Sequence, residues 1–334
     1  MKTIAISLLC LIAILCPSPS SAWGVWAHQR INRAAIFALP EPMRSFYFNH
    51  NDFLTMQGSV PDLRKYALGL NAEFSRHYFD VEVYGANAFN EVPMDWNKAV
   101  DKYGKKKLYN NGTLPWQIQL TMKKLTAAFK SRNKAEILLL SADLAHYVGD
   151  AYQPLHTTEN YDGQLSNQKG LHALFESRLP ELFGGSYNLH TATAGYYKNV
   201  QQTAWQIIKQ SHSQLPKLLS AEKKVLDKMP QKQVNQYDKN GHIRKNRYNK
   251  PYFSKAFCQA FNNNLGDMIP NQMRAAIYTT ASLWYTAWVN AGKPDLKSLD
   301  SPYLYDINRK ILENEANLWE RSGQFLGLKS LNEF

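Results

Sequence analysis

Two pairs of side chains set four residues apart define the chemistry open to this chain. His146 and Asp150 lie in Leu144-Ala-His-Tyr-Val-Gly-Asp150, and His172 and Glu176 lie in Leu171-His-Ala-Leu-Phe-Glu176. A spacing of four puts both members on one face of a helix, so each pair can aim an imidazole and a carboxylate at a common point. Gln153-Pro-Leu-His156 adds another imidazole just past the end of the first helix. Upstream, Pro61-Asp62 reads as a turn and Arg76-His77-Tyr78 as an extended segment. Imidazole and carboxylate donors without thiolate suit Zn²⁺. A solitary His-x3-Asp is commonly a surface pair, and a solitary histidine is commonly structural. The ordered series outweighs both readings. Of nine histidines, His28, His77, His146, His156 and His172 fall within it, while His50, His190, His212 and His242 fall outside.

The beginning of the chain supplies a further donor. Met1-Lys2, an apolar run from Ile4 to Cys16 and the small residues Ser20 and Ala22 have the pattern of a secretory signal peptide over residues 1–22. Cleavage there leaves Trp23 as the first residue of an exported, periplasmic or extracellular protein. A free α-amine beside its own carbonyl oxygen can chelate a metal ion, and His28 is close enough to add its imidazole. The apolar run is short for a membrane span. Lipid attachment at Cys16 is disfavoured by the bulky Leu15 before it.

These donors need a helical framework. Apolar residues recur at helical spacing in Trp26–Leu39, Trp116–Phe129, Lys134–Tyr152, Leu171–Leu179, Thr193–Leu218, Met268–Ala291 and Leu304–Leu326. Pro115 suits a helix start, and Pro40 and Pro154 suit helix ends. There is no run of alternating strands, long-period repeat or glycine-rich phosphate loop. One all-α, multi-helix domain over residues 23–334 is the expected architecture. Ala275–Ala291 is the most apolar later segment, but Thr279, Thr280, Tyr285 and Thr286 make it a buried helix.

Removal of residues 1–22 takes Cys10 and Cys16 with it, leaving Cys258 and no intramolecular disulfide. The formal charge of +12 favours anionic partners. Two polar stretches interrupt the helices. Tyr84–Tyr109 reads as a polar connection. Lys228–Tyr252 interleaves Lys232, Lys239, Arg244 and Lys245 with Tyr237, Tyr248 and Tyr252, a composition that serves either a solvated loop or a phosphate- and base-binding surface.

The segment from Leu144 to His156, Leu-Ala-His-Tyr-Val-Gly-Asp-Ala-Tyr-Gln-Pro-Leu-His, closely resembles the most characteristic motif of the superfamily joining zinc-dependent phospholipases C with S1/P1 nucleases. The likeness extends more loosely from Trp23 to about Leu179. It implies an all-α fold around three zinc ions. Asp62, His77, His146 and Asp150 would hold the first, and His156, His172 and Glu176 the second. The Trp23 backbone and His28 would hold the third, with Asp150 shared. Asp62 would also be the acceptor for the proton of the attacking water. The implied substrate is a phosphate ester, and a peripheral membrane-surface contact is compatible with it; no obligate protein partner is implied.

The two branches of that superfamily remain open. Glu176 in place of Asp, and a short Thr157–Leu171 connection, resemble the phospholipases C. The tight spacing of Trp23 and His28 resembles the nucleases, and the basic, tyrosine-containing stretch weakly favours single-stranded nucleic acid. Phospholipid is the preferred substrate on balance. A zinc-binding helical protein without catalysis is the third reading.

Overall fold

Most of the helical periodicity becomes helix in the computed structural model, which describes residues 23–67, 71–245 and 251–325. The principal elements are α1 (Val25–Phe37), α2 (Val60–Ala67), α3 (Leu114–Lys130), α4 (Lys134–Ala151), α5 (Val200–His212), α6 (Met268–Asn290) and α7 (Pro302–Ser322). No strand occurs among the described residues beyond isolated bridges. The fold is all-α, as the sequence predicts. No described helix is long and apolar enough to cross a membrane.

Helix α4 is the axis of the arrangement and packs against α1, α3 and α6. Its start is fixed by Asn133, whose side chain accepts a hydrogen bond from the Glu136 amide. Every residue from Leu144 to Ala151 is buried. A helix surrounded on that scale can be apolar on all faces. His146 and Asp150 are the exceptions, and burying them requires partners. Trp23 and Trp284 are the largest of the fully buried side chains beside it, and the core forms one connected cluster from Trp23 to Trp319.

Several local expectations need correction. Asp62 sits in the first turn of α2 rather than in a turn, because Pro61 is tolerated where helix amides have no partner. His77 ends a short 3₁₀ turn, Ser75–His77, and the chain becomes extended only at Tyr78. Thr193–Leu218 is not one helix: α5 begins at Val200, and a second helix, Leu215–Leu226, restarts at Pro216. Tyr84–Tyr109 contains the helices Ala88–Glu91, Trp96–Tyr103 and Lys105–Asn110, built around Trp96, Val100 and Leu108. Lys228–Tyr252 holds a helical turn, Gln231–Val234, followed by a narrow antiparallel arm that pairs Asn235 with Phe253, Tyr237 with Ile243 and Lys245 with Pro251. Tyr248 and the expected leader over residues 1–22 lie outside the described residues.

Candidate metal centre

Four elements converge on the first half of the site. Helix α4 presents His146 and Asp150, α1 presents His28, α2 presents Asp62, and the Ser75–His77 turn presents His77. Asp150 Oδ2 lies 2.8 Å from His77 Nδ1 and 3.2 Å from His146 Nε2, while Oδ1 lies 3.3 Å from His28 Nε2. Asp62 Oδ1 is 3.7 Å from both His77 Nδ1 and His146 Nε2. The His28 and His146 rings stack with centroids 3.9 Å apart. Donor atoms thus fall into two overlapping clusters, His28–His146–Asp150 and Asp62–His77–His146.

The second half is a separate triad. His172 Nε2 lies 2.9 Å and His156 Nε2 3.5 Å from Glu176 Oε2. His172 and Glu176 do not share a regular α-turn, because Leu174–Arg178 is a π-turn set between Leu171–Ala173 and Leu179–Phe183. Such single-turn widenings frequently mark functional sites. Gln153 Nε2 donates to Glu176 Oε2 at 3.1 Å and fixes the carboxylate from the end of α4.

Backbone carbonyls orient three of the rings. Gly58 O lies 2.8 Å from His146 Nδ1, His77 O 2.5 Å from His156 Nδ1, and Tyr161 O 2.8 Å from His172 Nδ1. Each carbonyl accepts from a protonated Nδ1, which leaves Nε2 as a lone-pair donor facing the carboxylates. Trp23 joins the halves. Its indole N–H donates to Gly149 O at 2.7 Å, its ring lies 5.6 Å from that of Phe175, and the Gly24 amide donates to Glu176 O at 3.1 Å. Glycine at 149 admits the neighbouring ring, since a Cβ there would stand 3.2 Å from His28.

The donor set fits metal ions by its own electrostatics. Buried polar atoms ordinarily find hydrogen-bond partners. Here both ring nitrogens of His28, Nε2 of His156 and of His172, Asp150 Oδ1 and Glu176 Oε1 are buried without one. Burial, and then the neighbouring His146, push the His28 imidazolium down to about 4. Burial opposes ionisation of Asp150, yet the imidazole of His146 outweighs it and holds the carboxyl well below the usual range. Asp62 is also held low: Lys65, then His146 and His77, overcome its burial. Three buried His/Asp/Glu clusters can therefore hold metal ions.

A cavity of about 310 Å³ opens onto both halves, with His77, His156 and His172 in its wall. Lys65, Phe74, Tyr78, Asp80 and Tyr161 also line it. Lys65 Nζ donates to Asp62 Oδ1 at 2.7 Å. Burial, with Glu82 and Glu159 nearby, pushes the Asp80 carboxyl up to about 7. Sequence reasoning missed these residues. Reading Pro61 as a helix start would have exposed Lys65, three residues beyond Asp62 on the same face.

The structure gathers His28, Asp62, His77, His146, Asp150, His156, His172 and Glu176 into these clusters, and Trp23 packs beside them through its indole. The four other histidines lie elsewhere, with His50 against Asp300, His190 against Glu320, His212 against the Thr157 carbonyl and His242 beside Asp238. No protein-family model matches this chain, and no curated protein matches it significantly.

Proposed function

We propose that this chain is a zinc-dependent phosphodiester hydrolase of phospholipase C type, exported and mature from Trp23. The observation that carries the reading is the cavity walled by imidazoles of both halves. A purely structural metal site is usually closed by protein ligands, whereas a catalytic one keeps a position open. Asp62, His77, His146 and Asp150 would hold one zinc, His156, His172 and Glu176 a second, and His28 with the Trp23 backbone a third, sharing Asp150. Zinc bound there supplies Lewis acidity and a water of lowered pKa.

The surrounding residues take the remaining tasks. Asp62, kept ionised beside Lys65, accepts the proton of the attacking water. Lys65 faces the cavity with an ammonium suited to a non-bridging phosphoryl oxygen. The rings of Phe74, Tyr78 and Tyr161, with the Asp80 carboxyl, make a wall suited to a cationic headgroup. Tyrosine rings also stack nucleobases, and the arm carries Arg244 5.8 Å from the Tyr252 ring, which supports single-stranded nucleic acid as the second reading.

One assay separates them. The zinc-loaded protein beginning at Trp23 is given phosphatidylcholine dispersions, single-stranded DNA and single-stranded RNA side by side. Phosphocholine release well above nucleotide release is the expected result. Nucleotide release without lipid hydrolysis would replace the substrate, and no hydrolysis by a fully loaded protein would overturn the catalytic reading.

A further inference from the structure

His77 is held differently from three other imidazoles of the centre. His146, His156 and His172 each direct Nδ1 at a backbone carbonyl. His77 turns Nδ1 inward instead, 2.8 Å from Asp150 Oδ2 and 3.0 Å from His146 Nε2. Its Nε2 therefore points away from the donor cluster. Nε2 is buried without a hydrogen-bond partner, and the carboxylate oxygen it faces is Glu73 Oε1, at 3.5 Å.

Glu73 is 1% exposed, and no step of the proposed reaction uses it. Its position is set from several directions. Tyr147 donates its hydroxyl to Oε1 at 2.7 Å, Arg76 Nη1 lies 2.5 Å from Oε2, and Arg64 Nε lies 3.8 Å from Oε1. Arg64 is anchored in turn by Asp143 at 2.8 Å. Tyr147 and Asp143 belong to α4, the helix that presents His146 and Asp150. The network thus fixes Glu73 relative to the donor cluster, and two arginines balance the charge of a buried carboxylate.

We propose that Glu73 is the positioning residue of His77: it accepts the Nε2 proton, fixes the ring in the Nε2–H tautomer and leaves Nδ1 as the lone-pair donor to the metal. A carboxylate in this place raises the basicity of the ligating imidazole more than a carbonyl does, so the His77 ligand is tuned by a side chain where His146, His156 and His172 are set by backbone. The inference rests on the metal-centre reading but not on the substrate.

The test combines a spectroscopic readout with an affinity. Long-range ¹H–¹⁵N spectra of the full chain, with and without zinc, report which nitrogen of His77 carries hydrogen. The wild type should show protonated Nε2 in both states. Glu73→Gln retains volume and an acceptor but loses the charge. It should weaken binding of one zinc about tenfold to a hundredfold in chelator competition. Tyr147→Phe keeps the carboxylate and should weaken it by a smaller factor. A wild-type His77 protonated on Nδ1 would overturn the proposal, even if Glu73→Gln failed to fold. Unchanged zinc affinity in a folded Glu73→Gln would overturn it too. Neither readout uses a substrate, so absence of hydrolysis leaves both standing.

Discussion

The two halves of the metal centre are built on opposite plans. Around Asp150, three elements besides α4 bring donors to a shared carboxylate, and His77 and His146 nitrogens come within 3.0 Å of each other. Around Glu176, His156 and His172 make a self-contained triad, with the π-turn carrying the carboxylate. The first half is a network in which each member constrains the others. The second is a local motif, and its residues fall between positions 153 and 178. Shared donors imply coupled occupancy in the first half and near-independent occupancy in the second.

The largest expected effect comes from the shared carboxylate. Asp150→Asn preserves shape but removes charge from three imidazole contacts, so hydrolysis should fall on the order of a hundredfold or more. Zinc content should fall by more than one ion per chain. His190→Ala, in an exposed pair with Glu320, is the control and should match wild type. Elemental analysis alongside turnover checks both.

His172→Ala should break the second half alone. The expected result is loss of one zinc per chain, with the remaining ions bound at unchanged affinity in chelator titration. Loss of all bound zinc would show instead that the two halves bind as one coupled unit.

Gly149→Ala probes the first half by crowding. The new methyl presses on the His28 ring at 3.2 Å, and the packed surroundings leave little room to yield. Destabilisation of about 1–3 kcal/mol is expected by analogy with other overpacked cores. Zinc should be lost from the cluster containing His28 while the Glu176 triad stays loaded.

Asp80→Asn should have the smallest effect on metal and a distinct effect on pH behaviour. The Asp80 pKa is raised on folding from 3.8 to about 7, so between these values the native chain binds more protons than the unfolded one. Stability contributed by this group therefore falls as pH rises through that window. Replacement with Asn should raise the melting temperature at pH 8 relative to wild type and leave the difference small near pH 4. If Asp80 meets a cationic headgroup, the variant should also lose any rise in phosphatidylcholine preference as pH passes about 7.

The donor series was legible because chemistry and spacing coincide. His146–Asp150 and His172–Glu176 carry helical periodicity, and the long apolar helices reveal themselves by the same rule. The geometry between them was not legible. Nothing in the sequence distinguishes a regular turn from the π-turn at Leu174–Arg178, since the difference lies in which carbonyl each amide chooses. Glu73 was hidden for another reason: its meaning depends on the direction of the His77 ring. The short helices of Tyr84–Tyr109 were obscured by lysines, although Trp96, Val100 and Leu108 supply an apolar side.

The seat of Trp23 has a consequence for the order of assembly. Its indole is fully buried against Gly149 O and Phe175, positions more than a hundred residues later in the chain. Synthesis produces this residue early and the surfaces that receive it late. Such long-range closures lose chain entropy before any contact rewards them, which slows folding. The joint between the two halves can therefore close only after α4 and the π-turn segment have emerged, making Trp23 the latch of the finished molecule rather than its starting point.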